Sequence, residues 1–271
     1  MPADPSSAES GECVCIDVPR RGALRIEYRL IEADAPDAPL VVFLHEGLGS
    51  LAMWRGWPEA FCRRAGVRGL VYSRYGYGRS TPRPAAERWD PDYMQEHARD
   101  HLPALLAALG LEDERPVLFG HSDGGTIALL YAAEYPDRVR AIAVVAPHIF
   151  VEPGTLGAIA EARERYLRPG LRERLARYHD DPDSAFWAWN DAWLNPAFAQ
   201  WDIRDRLPRI ACPVLAIQGD RDEYASLEQI HGIARVLPGT PCVVLPDCGH
   251  SPHREQPERL ERRLLEWLAA L

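Results

Sequence analysis

The chain has 271 residues, of which 40 are acidic and 31 are lysine or arginine, and its formal net charge at pH 7 is −9. All 31 of these basic residues are arginine. Enzymes that form a Schiff base on lysine, phosphate-binding loops with a Gly-Lys pair and protein kinases are therefore excluded. The acidic surplus disfavours a nucleic-acid-binding protein, because phosphate contacts need clustered positive charge.

The sequence contains no feature typical of a membrane or secreted protein. No apolar run approaches the roughly 18 residues that a membrane helix needs. The polar N-terminal segment 1–11 lacks the basic region and apolar core of a secretory signal. The six cysteines form no CxxC pair, which favours free thiols in a reducing compartment. We expect a cytoplasmic protein that binds neither nucleic acid nor membrane, and the oligomeric state stays open.

Eight short apolar and β-branched runs predict strands, and helical patterns alternate with them. The middle runs, such as VVFL and IAVV, are continuously apolar, as is typical of strands buried on both faces of a parallel sheet. The first two runs alternate more and fit an antiparallel edge. The pattern predicts an α/β fold with a mostly parallel eight-stranded sheet. The strands are expected at 13–19, 24–31, 40–45, 69–74, 116–120, 141–146, 214–218 and 242–245.

The alternation breaks once, between the sixth and seventh strands. Apolar residues recur at helical spacing in 91–109 and 256–271, but residues 148–212 show helical stretches without a strand. We predict a helical cap at 148–212 over a core domain formed by 1–147 and 213–271. The alternative is an insertion that only packs its aromatic residues on the core. A dense aromatic run lies in this segment: Phe186, Trp187, Trp189, Trp193, Phe198 and Trp201.

The motif GHSDGG at 120–125 follows an apolar strand and precedes a helix rich in small residues. A serine in the middle of G-x-S-x-G at a strand–turn–helix junction is typical of a nucleophile on a tight turn. Ser122 is therefore the predicted nucleophile. The N–H of Asp123 is expected to face a developing oxyanion, and the start of the helix favours negative charge there.

A serine nucleophile needs a base and an acid that orients the base. His250, just after the last strand, is the predicted base, with His253 as an alternative. Asp222, in the loop after the seventh strand, is the predicted acid, with Asp220 as an alternative that pairs with Arg221 or caps the turn.

The turn HEGLGS at 45–50 is the predicted source of the second N–H of the oxyanion hole. Gly47 is the expected donor and Glu46 the alternative. His45 is expected to hold the loop through a side-chain hydrogen bond. Glu46 and Asp123 place two carboxylates beside the hole. They either select a cationic or polar substrate or point away and cap helices.

Five motifs, namely HEGLGS, RYGYGRS, GHSDGG, GDRD and CGHSPHREQPE, occur in this order, and over 39–271 the chain resembles the α/β-hydrolase fold family. The resemblance implies the triad Ser122, Asp222 and His250, and a helical cap after the sixth strand. The serine at position 122 distinguishes the chain from haloalkane dehalogenases and epoxide hydrolases, which resemble this fold but carry an aspartate as nucleophile.

The sequence therefore predicts a serine hydrolase that acts on a small-molecule acyl substrate, a carboxylic ester, lactone or thioester, through an acyl-enzyme. No cofactor and no metal is expected. Three alternatives remain: a carbon–carbon bond hydrolase, an aminopeptidase, and a hydrolase-like receptor with slow turnover. The candidate pocket residues are Glu46, Trp54, His148, Trp187 and Trp193, and packing in the first helix is the alternative for Trp54.

Overall fold

A computed structural model of the chain describes residues 11–35 and 37–271. Residues 1–10 of the polar N-terminal segment lie outside this described part. None of the helices in the described residues is long and apolar enough to cross a membrane.

All eight predicted strands are present, and they form one sheet in the order β1-β2-β4-β3-β5-β6-β7-β8. β1 pairs with β2, and β2 with β4, in the antiparallel sense, and all other pairs are parallel. The alternating first two runs therefore form the antiparallel edge, as predicted. The strands are β1 (Glu12–Val18), β2 (Gly22–Ile31), β3 (Leu40–Leu44), β4 (Arg68–Tyr72), β5 (Val117–His121), β6 (Ala141–Val145), β7 (Val214–Gly219) and β8 (Cys242–Leu245).

Ten α-helices lie within the described residues and pack around this sheet. They are α1 (Trp57–Ala65), α2 (Tyr93–Glu96), α3 (Leu102–Ala108), α4 (Asp123–Glu134), α5 (Pro153–Tyr166), α6 (Leu171–Leu175), α7 (Pro182–Trp193), α8 (Glu228–Val236), α9 (Pro252–Glu255) and α10 (Pro257–Leu268).

The expectation of a regular helix over 91–109 is wrong in detail, because a π-helical turn at His97–His101 separates α2 from α3. Proline has no N–H, so Pro103 cannot donate to the carbonyl of Arg99 four residues earlier. The Tyr135 hydroxyl donates to that carbonyl instead, at 2.7 Å. The regular helical hydrogen bond to the Arg99 carbonyl is therefore absent at this turn, and Tyr135 satisfies that carbonyl instead.

The two faces of the sheet carry separate hydrophobic cores. Alternate residues of β3 point to opposite faces, with Val42 in one core and Phe43 in the other. The buried helix α4 packs on the first face, while α1 and α10 pack on the second. This arrangement fixes the carboxyl ends of the parallel strands, where ligands bind in sheets of this kind.

The segment between β6 and β7 contains α5, α6, α7 and two 3₁₀ turns, and its described residues form no strand of the sheet. A single β-bridge between Phe150 and Asp202 joins the two ends of this segment. Its apolar side chains, including Ile159, Trp189 and Phe198, belong to the same core as α4. The apolar side chains of this segment are therefore continuous with the core of α4, the helix that begins just after Ser122.

Candidate active site

Ser122 lies between β5 and α4 with φ 53° and ψ −121°, a conformation that costs a non-glycine residue about 1–3 kcal/mol. Its N–H donates to Val145 O at 2.9 Å, and its carbonyl accepts from Thr126 N at 3.0 Å. A Cβ on Gly124 would lie less than 3.0 Å from the backbone of Leu44. Only glycine therefore lets α4 begin so close to the sheet, and this closeness forces the sharp turn at Ser122.

His250 and Asp222 meet at the carboxyl ends of β7 and β8. His250 Nδ1 lies 2.9 Å from Asp222 Oδ1. The second carboxylate oxygen of Asp222 accepts from Gln218 Nε2 at 3.1 Å, and Oδ1 also accepts from Tyr224 N at 2.9 Å. The carboxylate of Asp222 is thus held in one orientation. Because it binds His250 at Nδ1, Nε2 of that ring is left for another partner.

The two alternatives for base and acid lie in other surroundings. Asp220 is exposed, and its N–H donates to Leu245 O. His253 is buried, with its ring centroid 5.0 Å from Trp54 and 4.9 Å from His121. Burial lowers the pKa of His253 well below its usual value. Of the two aspartates, it is Asp222 that contacts His250.

The pKa values of His250 and Asp222 move in opposite directions. Burial alone lowers the pKa of His250, but the hydrogen bond and charge of Asp222 outweigh it, so the pKa is raised. Burial alone raises the pKa of Asp222, but the hydrogen bond and charge of His250 outweigh it, so the pKa is lowered. The pair therefore favours a carboxylate beside a histidine of increased basicity.

The turn after β3 is held by His45, as predicted. The His45 ring accepts from Arg74 N at Nε2, at 3.0 Å, so Nδ1 carries the proton. Nδ1 donates to the carbonyl of Glu46 at 2.7 Å. Burial, followed by the charge of Arg74, lowers the pKa of His45 well below its usual value, so the ring stays neutral. Its role in the geometry is to fix the turn.

Both carboxylates beside the turn are paired with arginines of the chain. Glu46 Oε1 lies 3.1 Å from Arg254 Nη2, and its other oxygen lies 3.6 Å from His121 Nδ1. Asp123 Oδ2 accepts from the Tyr93 hydroxyl at 2.6 Å and lies 3.7 Å from Arg74 Nη2. Neither side chain caps a helix, and each already faces a positive group of the protein.

The histidine and tryptophans predicted to line the pocket lie in different parts of the structure. His148 lies beside His250, with ring centroids 6.1 Å apart, and its ring centroid lies 4.9 Å from that of Trp193. Trp54 belongs to the second core, where it packs against Phe43 and Phe119.

Trp187 packs on Tyr166 and Arg163 and lines a surface cavity.

The tryptophan that reaches the turn after β3 is Trp189, which is not among the predicted pocket residues. A Cβ on Gly47 would lie less than 3.0 Å from the Trp189 indole, so the two are in direct contact. Trp189 and Trp193 lie four residues apart on α7 and share one face of the helix, which excludes Trp187. Helical spacing within the aromatic run was the signal that could have identified Trp189.

Comparisons with known proteins agree with this architecture. A family profile described as "Alpha/beta hydrolase family" matches residues 41–263. A bifunctional esterase/perhydrolase from Acinetobacter calcoaceticus is 27% identical over 231 residues, covering 71% of this chain and 77% of the relative. A 2-hydroxy-6-oxo-6-phenylhexa-2,4-dienoate hydrolase from Burkholderia cepacia is 25% identical, covering 89% and 92%. A thermophilic esterase structure from Thermogutta terrifontis has a TM-score of 0.71 at 26% identity, covering 96% and 98%. The family profile spans most of the chain, and the protein is a member of the alpha/beta hydrolase family.

Proposed function

We propose that the protein is a serine hydrolase that cleaves a carboxylic ester, lactone or thioester through an acyl-enzyme. Ser122 attacks the acyl carbonyl, His250 accepts its proton, and Asp222 orients the ring and stabilises the imidazolium. The N–H groups of Gly47 and Asp123 bind the oxyanion. The tetrahedral intermediate collapses as His250 returns the proton to the leaving alcohol or thiol, and the acyl group stays on Ser122. His250 then takes a proton from water, which attacks the acyl-enzyme, releases the carboxylic acid and regenerates Ser122.

The observation that carries the proposal is the 2.9 Å contact between His250 Nδ1 and Asp222 Oδ1. The residue before the strained turn at Ser122 links the turn to this pair, because His121 Nε2 lies 2.7 Å from the carbonyl oxygen of His250. An acid on Nδ1 fixes the tautomer in which Nε2 is the free base. The raised pKa of His250 supports the same assignment, because a stronger base removes a hydroxyl proton more readily.

We assign residues 148–212 to a cap over the acyl site, with 1–147 and 213–271 as the core domain. The contact of Trp189 with Gly47 supports the position of the cap, because it joins α7 to the turn that holds the oxyanion donor. His148 and Trp193 lie on the His250 side of the cap. Their apolar ring faces suit a substrate with an apolar acyl or alcohol part.

The test is covalent labelling combined with hydrolysis. A fluorophosphonate probe should add one phosphonyl group, located on Ser122 by peptide mass spectrometry. Ser122→Ala should lose both the adduct and the hydrolysis of short p-nitrophenyl esters. Ser251→Ala, a serine beside His250 but off the strand–helix turn, is the matched control and should keep both.

Labelling at another residue, or unchanged hydrolysis by Ser122→Ala, would overturn the proposal. A substrate panel separates the alternatives that share the triad. It contains p-nitrophenyl esters, a lactone, an acyl thioester, a ring-cleavage diketone and an amino-acid p-nitroanilide. Turnover of the diketone alone would favour carbon–carbon hydrolysis, and turnover of the anilide alone would favour an aminopeptidase. Labelling of Ser122 with no turnover would favour the receptor-like alternative.

A further inference from the structure

The carbonyl of Glu46 is held by three donors at once. His45 Nδ1 donates to it at 2.7 Å, Arg74 Nη2 at 2.9 Å and Gly49 N at 3.0 Å. This carbonyl and the N–H of Gly47 belong to the same peptide group. Because a trans peptide is planar, its N–H and C=O point in opposite directions. Fixing the carbonyl therefore fixes the direction of the Gly47 N–H.

Arg74 is nearly inaccessible to solvent, with 1% of its surface exposed. Burial of a guanidinium is costly unless acceptors surround it. The Nη2 atom that donates to Glu46 O also lies 3.7 Å from Asp123 Oδ2, and the guanidinium stands 4.7 Å from the centre of the Tyr77 ring. One nitrogen atom thus bridges the turn after β3 and the start of α4.

The Asp123 carboxylate is fixed from a second side as well. The Tyr93 hydroxyl donates to it at 2.6 Å, and Trp193 Nε1 of α7 donates to that hydroxyl at 2.9 Å. Asp123 is also the residue whose N–H serves as the other oxyanion donor in the proposed function. The side chain of Asp123 and the carbonyl of Glu46 are therefore anchored to the same arginine.

We infer that Arg74 is a positioning residue that sets both donors of the oxyanion hole before substrate binds, by bridging the Glu46 carbonyl and the Asp123 carboxylate. The inference rests on the proposed function, since it requires that Gly47 and Asp123 hold an oxyanion. Donors fixed in advance stabilise charge without a reorganisation cost at the moment of reaction. Such a residue acts on the transition state, so its loss changes kcat more than KM.

The central variant is Arg74→Met, which keeps a long side chain and removes every donor. We expect kcat for a p-nitrophenyl ester to fall about 10- to 100-fold, somewhat less than complete removal of a donor. KM should change less than about threefold. Affinity for a trifluoromethyl ketone, which forms a tetrahedral oxyanion on the nucleophile, should fall by the same factor as kcat.

Arg83→Met is the matched control. Arg83 is also a buried arginine that donates to backbone carbonyls, those of Pro84 and Glu87, but it serves another loop. The Arg83→Met variant should have a lower unfolding temperature than the wild type. Its affinity for the trifluoromethyl ketone, relative to its KM for the ester, should stay unchanged. Arg74→Lys retains a positive charge without the planar fork of guanidinium donors, so it should restore part of both kcat and ketone affinity.

The outcomes distinguish a failure of the proposed function from a failure of the role inferred for Arg74. If the wild-type protein is not labelled on Ser122, the proposed function fails before Arg74 is tested. If labelling and turnover are present, a folded Arg74→Met with wild-type kcat and ketone affinity overturns the inference. A rise in KM at constant kcat also overturns it, because it would assign Arg74 to substrate binding. If Arg74→Met does not fold, Arg74→Lys decides by the same criteria: kcat and ketone affinity must fall together.

Discussion

Substitution of Gly47 by alanine tests whether α7 closes directly on the turn after β3. The added Cβ would lie less than 3.0 Å from two atoms of the Trp189 indole and 3.1 Å from a third, Cε2. Ordinary contacts of a Cβ are 3.4–4 Å. Three donors hold the Glu46 carbonyl next to Gly47, so the turn resists movement and the indole must give way.

The expected cost follows from this overlap. Trp189 is 6% exposed and packs on Phe186, so its displacement disturbs a filled core. Forcing an extra methyl into a well-packed core costs about 1–3 kcal/mol. We expect Gly47→Ala to lower the free energy of unfolding by that amount, measured by urea denaturation followed by circular dichroism.

A double-mutant cycle with Trp189→Phe isolates the contact. The smaller ring should relieve the overlap, so the double variant should be more stable than the sum of the single effects by about 1–3 kcal/mol. Gly157→Ala is the control, since a Cβ at this position of α5 meets no heavy atom within 4 Å. That change should stabilise the protein by about 0.5–1 kcal/mol. Additivity of Gly47→Ala and Trp189→Phe within about 0.5 kcal/mol would refute the reasoning.

Three further predictions concern the residues around Ser122. Asp222→Asn should lower kcat by about 10³- to 10⁴-fold because the ring loses its orienting carboxylate, whereas Asp220→Asn should leave kcat nearly unchanged; equal losses would contradict the assignment. The pH profile of kcat/KM should rise with pH and reach half its maximum above 6.5, because the pKa of His250 is raised and only the neutral ring accepts a proton; a midpoint below 6.5 would contradict it. Tyr93→Phe should cost about 1–3 kcal/mol in a urea titration, because it removes a donor from the buried Asp123; a cost near zero would show that the hydrogen bond is dispensable.

The order of elements was predictable from local pattern. A strand buried on both faces must be apolar along its whole length, so runs such as VVFL in β3 identify central strands without any knowledge of their neighbours. The π-helical turn before α3 was not predicted. Pro103 is a local signal for a break in the helix, but the hydrogen bond from Tyr135 to the Arg99 carbonyl joins residues 36 positions apart and leaves no trace in helical periodicity.

Those parts of the candidate site that depend on a single local motif could be predicted from the sequence. The strand–turn–helix position of Ser122 is a local property of GHSDGG, and the candidate acid and base follow from the ends of later strands. The surroundings of Glu46 and Asp123 were beyond reach, since Arg254 and Arg74 reach them only in the folded chain. With 31 arginines to choose from, sequence distance does not single out a partner.

Those two pairs change what the carboxylates imply for substrate choice. The pKa of Glu46 is held well below its usual range: burial opposes ionisation, but His121 and Arg254 outweigh it. Burial raises the pKa of Asp123 even though Arg74 faces it. An amine substrate bound at Asp123 would have to displace a guanidinium that is itself buried, or share the carboxylate with it at close range. Both carry a large electrostatic cost in a site shielded from water. The geometry therefore favours an uncharged acyl group beside the oxyanion donors, and it disfavours the aminopeptidase alternative.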